Sequence, residues 1–427
     1  MVYNGAVRIR WLRRLLWVAG FGCLWLNVLD DPPLRSGAYL QDVTTDAVTV
    51  AKITAGPTRA TCTVFEVGGA TVAHVEAPAQ RRHALRVTGL RPGTEYAYEF
   101  AVDGGEVERG RIRTAPDRDD APVHFAFLGD SGDQPWWVWL QRTPALHWPS
   151  AWDWLPTKSA VTAIGAAVAA DGPDFVLHLG DVIYPKGLNA HYRSGFFRPF
   201  ADVIRNAPLY PVPGNHDVMD AAGQQLLANF RAPKSTATGD GLCYSFVRGP
   251  LRVIVLDCNI DRTGDRYEPG HPAYDYLASE LAAASEPWVV AASHYPMQSA
   301  SRQWDRPDLL LSLLPVLTEY QVSLYLSGHD HCYQRFRPQQ AGGMPLVVSG
   351  GGGKDLYEVR PDPRAIKLVS EHHWCRADVL RGRMTVTARS LAGVVIDQFE
   401  LQLPGGAALE QLRQSNPARA ERIARLQ

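Results

Sequence analysis

Five short motifs carry the residues that could do chemistry, and each follows an apolar, strand-like run. Phe125–Leu128 leads into Gly129-Asp130-Ser131-Gly132, and Val176–Leu179 leads into Gly180-Asp181-Val182-Ile183-Tyr184. Leu209–Pro213 leads into Gly214-Asn215-His216-Asp217, and Val289–Ala292 into Ser293-His294. The last run, Leu324–Leu326, leads into Ser327-Gly328-His329-Asp330-His331. Carboxylates, imidazoles and, for a ferric ion, a phenolate are donors that hard or borderline metals take. Glycine lets the chain turn sharply at a strand end, and strand ends are where α/β domains gather ligands. A phosphate ester repels a nucleophile by its own charge. Two metals roughly 3.5–4 Å apart neutralise that charge, supply hydroxide near neutral pH and stabilise the leaving oxygen. Such a pair needs one bridging carboxylate and two half-shells of donors, and this inventory can fill both. Singly, each motif reads as a turn with a satisfied histidine or a loop cap. Five in one order, each after a strand, read together as a binuclear metal site.

This order resembles the calcineurin-like metallophosphoesterase superfamily. That superfamily commonly opens with Asp-x-His, whereas the third residue here is Gly132. Purple acid phosphatases make the same change and add a tyrosine three residues after the bridging aspartate, as Tyr184 does here. The similarity spans most of residues 39–403, including "GAYLQDVTTDAVTV", "GLRPGTEYAYEF", "GHDHCYQR" and "VVSGGGG". The resemblance implies that Asp130, Tyr184 and His331 join Asp181 on a first, ferric-type metal. It implies Asn215, His294 and His329 with Asp181 on a second, which is Fe, Zn or Mn in the family. His216 would contact phosphoryl oxygens or protonate the leaving group, and Asp217 would orient His216. A metal-bound or bridging hydroxide would attack phosphorus in line, with no covalent phosphoenzyme. The expected substrate is a small phosphate monoester. A phosphodiesterase or nucleotide pyrophosphatase on the same core is the alternative. A reading of another class is an envelope binding protein with an inactive phosphatase domain.

Departures from the family bear on substrate. Tyr295–Arg302 lacks the further histidines that plant relatives carry there. Arg302 is a candidate phosphate ligand in their place, or a surface arginine, so the substrate-binding candidates are Asn215, His216 and Arg302. Gln334 stands where Glu is common. Gly350–Gly353 lacks the following helix and Ser/Thr of a P-loop, so it reads as a loop near the site. His372 and His373 are candidates to support the ligands, or ordinary surface histidines.

Several elements must position these residues. A chain of 427 residues exceeds what one core usually fills, which predicts two domains and an appendage. Between residues 39 and 115, Val48/Val50 and Tyr96/Tyr98/Phe100/Val102 alternate with period two. Short strands with regular turns predict a β-sandwich, and the segment resembles a fibronectin type III module. Residues 121–403 read as buried strands alternating with helices, with helices expected over Ser159–Ala170 and Ala273–Ala284. The resemblance implies a four-layer αββα arrangement there. Residues 405–427 read as a solvated helix or loose tail.

A net charge of −1 argues against an electrostatic nucleic-acid binder. Residues 1–35 read as a signal peptide or membrane anchor with a linker. Arg8, Arg10, Arg13 and Arg14 precede an apolar run to Leu29, the order of an export signal. A periplasmic or extracellular location is therefore expected, with membrane anchoring through residues 8–29 left open. Trp136, Trp137, Trp139, Trp148, Trp152 and Trp154 crowd one insertion. They read as a satellite hydrophobic cluster or a lid over the site. The six cysteines include no C-x-x-C pair, which disfavours a zinc knuckle. Cys243 and Cys258 are a candidate disulfide in an oxidising compartment.

Overall fold

In the computed structural model the described residues are 34–132, 160–219, 221–231, 233, 241–259, 267–301, 305–337 and 343–427. The expected export segment, the tryptophan-rich insertion and Arg302 lie outside them.

The first unit is all-β. Strands β1 (Tyr39–Gln41), β2 (Ala47–Glu66), β3 (Thr71–Thr88), β4 (Glu95–Val102) and β5 (Glu108–Arg113) form one antiparallel sheet. Irregular pairing between Ile53 and Ala60 divides the long β2 strand. Its first part pairs with β1 and its last part with β4. The sheet therefore closes over one core, in which Val48, Val50, Leu85 and Val87 meet Cys62, Val64, Tyr96, Tyr98 and Phe100. The alternating residues of the sequence are the buried ones, as a half-buried strand requires.

Two further sheets form the second unit. One runs β18-β17-β16-β6-β7-β8. Its members are β6 (Val123–Leu128), β7 (Phe175–His178), β8 (Leu209–Pro211), β16 (His373–Leu380), β17 (Arg383–Ser390) and β18 (Val395–Gln402). The other runs β15-β13-β14-β12-β11-β10-β9. It comprises β9 (Tyr244–Arg248), β10 (Leu251–Val255), β11 (Trp288–Ala292), β12 (Leu324–Ser327), β13 (Tyr333–Phe336), β14 (Leu346–Ser349) and β15 (Ala365–Val369). Alternate residues decide which layer each face meets. Phe125, Phe127, Val253, Val255, Val290 and Ala292 meet in the core between the sheets. Ile254, Val289 and Ala291 face helices α3 (Pro272–Ala283) and α4 (Pro307–Glu319) on the outside. Ala126, Leu128 and Val176 face α1 (Val161–Asp171) on the other outside. Helix, sheet, sheet, helix is thus the layer order. Central strands buried on both faces read as apolar runs rather than alternations.

The expected helices occur one or two residues away from their predicted bounds. A single helical turn, α2 (Asn215–Val218), follows β8. The C-terminal expectation needs correction. Residues 406–424 form α5 (Gly406–Ser415) and α6 (Pro417–Ala424), and Leu409, Leu412, Ala420 and Ile423 join the inter-sheet core. The tail is docked. The candidate bridge between Cys243 and Cys258 is also not made: both are buried thiols, and Cys243 Sγ accepts from Asp257 N at 3.3 Å. Among the described residues no helix is long and apolar enough to cross a membrane.

Candidate metal centre

Each of the five motifs sits just past the carboxyl end of a strand, and those strands run parallel side by side. β6, β7 and β8 are neighbours in one sheet, and β11 and β12 are neighbours in the other. Asp130, Asp181, Tyr184 and Asn215 therefore arrive from one sheet, and His294, His329 and His331 from the opposite one. Backbone bonds tie the turns together: Asp130 N donates to Gly180 O at 2.9 Å, and Gly328 N to His294 O at 3.0 Å.

The side chains form two sets of donors. In the first, Tyr184 Oη lies 3.1 Å from Asp130 Oδ1 and 3.2 Å from His331 Nε2, which is itself 3.5 Å from Asp130 Oδ1. In the second, Asn215 Oδ1 is 3.2 Å from both His294 Nε2 and His329 Nδ1. Asp181 reaches both sets. Its Oδ2 lies 3.4 Å from His294 Nε2, and its charge acts on the buried Tyr184 hydroxyl. Ligand atoms of Asp130, Asp181 and His294 all fall within 4.8 Å of one another.

Imidazole tautomers are set from outside the cluster. His294 Nδ1 donates to Leu179 O (2.8 Å) and His331 Nδ1 to Asp355 O (2.6 Å), so each turns Nε2 inward as a lone-pair donor. Asp130 and Asp181 are buried, and a buried carboxylate demands a counter-charge. Without a metal, a proton on His294 Nε2, facing Asp181, supplies it in place of the lone pair. Burial opposes that imidazolium, but the Asp181 carboxylate overrides burial and pushes the pKa up to about 10. Burial, then the charges of Asp181 and Asp130, hold the Tyr184 hydroxyl well above its usual pKa. Two buried carboxylates, three inward imidazoles, an amide oxygen and a phenol suit a pair of hard or borderline cations.

His216 stands at the edge of this cluster. Its Nδ1 donates to Pro185 O at 2.7 Å, its ring lies 4.5 Å from that of Tyr184, and Nε2 is 4.0 Å from Asp181 Oδ2. Asp217 does not orient it. The Asp217 oxygens instead accept from the backbone of Val182 (3.2 Å), Ile183 (3.3 Å) and Gly214 (3.1 Å). One carboxylate thereby clamps two ligand loops together. Burial and the Asp181 charge push its pKa up to about 8.

Gly132 has a steric reason. A Cβ there would lie 2.6 Å from Ile183 Cα and 2.8 Å from Val182 O. Lacking one, the first motif lets the Tyr184 loop press directly against it. Gln334 likewise fits its place: its amide donates to Asp330 Oδ2 (2.6 Å) while its oxygen accepts from Ala300 N (2.6 Å). A glutamate would set two carboxylates against each other. The Tyr295–Ser301 stretch packs beneath the last motif, with Ser299 Oγ donating to Asp330 Oδ2 at 2.5 Å. His373 is buried, bonded to Ser349 Oγ (3.0 Å) and Glu371 O (2.8 Å), and supports the glycine-rich loop. His372 is half-buried beside it.

Three residues of the site carried no motif: Tyr295, whose ring is 4.6 Å from His329; Tyr357, stacked 4.0 Å from His331; and Lys354, whose Nζ lies 5.1 Å from the Tyr184 ring centre. Only Lys354 left a sequence signal, as the residue closing the glycine run.

Comparison with known proteins adds ancestry to this geometry. Residues 123–333 match the calcineurin-like phosphoesterase family. Tartrate-resistant acid phosphatase type 5 of Homo sapiens is 30% identical over 307 residues, covering 61% of this chain and 92% of that protein. The Sus scrofa protein of the same name is 30% identical over 246 residues, covering 49% of this chain and 70% of the relative. In fold, the chain matches the yellow lupin (Lupinus luteus) purple acid phosphatase PPD1 with a TM-score of 0.71 at 17% identity, covering 87% of this chain and 75% of that one. The chain therefore belongs to the calcineurin-like phosphoesterase family, as an acid-phosphatase-like metallophosphoesterase related to the purple acid phosphatases.

Proposed function

We propose that this protein hydrolyses phosphate monoesters at a binuclear metal centre, outside the cytoplasm. The observation that carries the reading is the meeting of seven donors from five strand ends in two sets joined by Asp181. Asp130, Tyr184, His331 and Asp181 would hold a ferric-type ion, and Asn215, His294, His329 and Asp181 an Fe, Zn or Mn ion. When bound, such a pair supplies the positive charge and the activated water that phosphate-ester hydrolysis needs.

The chain's own residues do the rest. Asn215, His216 and His329 are the half-buried members of the site, whereas Asp130, Asp181 and Tyr184 are buried, so substrate approaches from the His216 side. With Nδ1 committed to Pro185 O, Nε2 is the His216 atom that contacts a phosphoryl oxygen or gives a proton to the leaving group. Asn215 turns its oxygen toward His294 and His329, which leaves its amide hydrogens for the phosphate. The export reading rests on the arginines and apolar run of residues 8–29.

Turnover of p-nitrophenyl phosphate against bis-p-nitrophenyl phosphate tests the ester class. The monoester is expected to be favoured at saturating metal. A preference for the diester would replace this reading with a phosphodiesterase on the same core. Purified protein with neither metal nor hydrolysis would leave only a binding role.

A further inference from the structure

A cavity of about 380 Å³ lies between the β-rich unit and the second unit. Its walls include Val123 and Asp174, which open β6 and β7, so it sits at the end of those strands away from the proposed metal ligands. The linker between the units, residues 116–122, forms a held wall. Gly249 N donates to Pro116 O at 3.0 Å, and a Cβ on Gly249 would lie 2.9 Å from Arg118 O, so the linker rests on the turn between β9 and β10. Further along, Arg422 of α6 donates through Nε to Asp119 Oδ2 at 2.6 Å. Arg248 gives this cavity its chemistry. It is 1% exposed, and its guanidinium lies 5.7 and 5.9 Å from the ring centres of Phe175 and Tyr210. Nη2 donates to Tyr210 Oη at 3.1 Å, while Nε has no partner among the described residues. Asp42, a carboxylate whose charge reaches Arg248, is itself held by Arg86 at 2.8 Å. A buried cation with an unmet donor favours an incoming anion.

We infer that this cavity binds a small organic monocarboxylate, its charged end at Arg248 and its carbon body against the linker. The other charges on the lining narrow the choice of anion. Arg113 is paired with Asp174 at 2.9 Å, and Asp174 also accepts from His124 N at 2.8 Å. Arg118 holds Asp120 at 3.2 Å in an exposed pair, which water weakens, so Arg118 can turn to a ligand. Exposed Asp117 lines the same cavity and opposes a second negative charge. Three guanidiniums (Arg113, Arg118, Arg248) against two carboxylates (Asp117, Asp174) leave one positive charge, the complement of a monoanion. Pro92, Pro116, Pro122 and Val123 supply an apolar surface, which suits a carbon body better than a mineral ion. The site is separate from the metal centre, and the inference does not depend on the proposed hydrolysis. A ligand here touches both units and would stabilise their docking.

The test titrates benzoate into the full chain purified with its own metals, by calorimetry. Benzamide serves as the uncharged counterpart and inorganic phosphate as a mineral anion. The expected result is one saturable benzoate site per chain that benzamide does not fill. Arg248→Met should weaken that site about tenfold or more, the loss of a hydrogen bond to a charged group. Arg118→Glu, at an exposed rim position, should weaken it several-fold, and it carries the comparison if the methionine variant does not fold. Benzoate binding that both variants leave unchanged lies elsewhere, the metal centre included, and overturns the inference. So does equal binding of benzamide, or the absence of saturable benzoate binding. Phosphate held at an Arg248-dependent site more tightly than benzoate overturns the carboxylate assignment, since the cavity would then be a mineral-anion site.

Discussion

Asp130, Asp181 and His329 hold φ values of 59°, 53° and 69°, the left-handed region that non-glycine residues enter at a cost of about 1–3 kcal/mol each. The surrounding bonds over-determine that geometry. His329 N donates to Asp130 Oδ2 (2.8 Å) and His216 N to Asp181 Oδ1 (2.9 Å), so each strained carboxylate also organises the next loop. At this scale the sequence was most readable, because each ligand lies within a five-residue motif that announces its own turn. Asp217 was misread because the resemblance assigned it to its neighbour His216, whereas its oxygens accept from a loop more than thirty residues away. Two predictions belong here. His216→Ala should lower turnover by about 100-fold or more, the range of a positioned acid, while metal content stays near wild type; loss of both metals would make His216 a ligand. Gly132→Ala should destabilise the protein by roughly 1–3 kcal/mol through overpacking against Ile183, read as a lower urea midpoint, and a neutral result would refute the steric account of that glycine.

Among the elements, the C-terminal helices were the least legible. Their composition is rich in Arg and Ala, and their few apolar positions gave no strong period. Burial there is decided by a distant feature, a cluster of carbonyls at the ends of α3 and α4. Arg419, 1% exposed, donates to Glu286 O (2.9 Å), Pro287 O (3.0 Å), Gln321 O (3.1 Å) and Tyr320 O. Asn416 caps α6 by accepting from Arg419 N (3.0 Å), and its amide donates to Ala284 O at 2.7 Å. No local pattern predicts an arginine whose partners all lie about a hundred residues upstream. Strands, by contrast, were readable wherever both faces are buried, because the apolar run is continuous. Arg419→Met keeps the length but strands those carbonyls, and each buried group left unpaired costs about 1–3 kcal/mol. A loss of about 3–5 kcal/mol in urea unfolding is expected, with kcat little changed, since the site lies elsewhere. A change under about 1 kcal/mol would show that water replaces the guanidinium.

For the molecule as a whole, the metal centre and the β-rich unit both act as fasteners. The proposed ligands come from both sheets of the catalytic unit, three past β11 and β12 and four past β6, β7 and β8, so two bound ions would cross-link the layers. The first unit is joined to the same framework through buried and part-buried bonds. Tyr39 Oη and Gln41 Nε2 donate to Asn229 O (2.8 and 2.7 Å), Arg82 to Asn229 Oδ1 (2.8 Å), and Tyr98 Oη to Arg205 O (2.8 Å). Asn229 itself is buried and donates to Asn189 Oδ1 at 3.0 Å. These contacts were invisible in the sequence, since nothing local marks a backbone carbonyl as a docking point. They predict that the two units unfold together, with metal binding stabilising both. Free metal at a thousand times its dissociation constant adds about 4 kcal/mol to the folded state. Calorimetry should therefore show one transition that moves down on chelation and returns when metal is restored. Two separate transitions, with only the later-sequence unit responding to metal, would show that the Asn229 contacts do not couple the units. A single transition indifferent to chelation would show instead that the ions do not clamp the sheets.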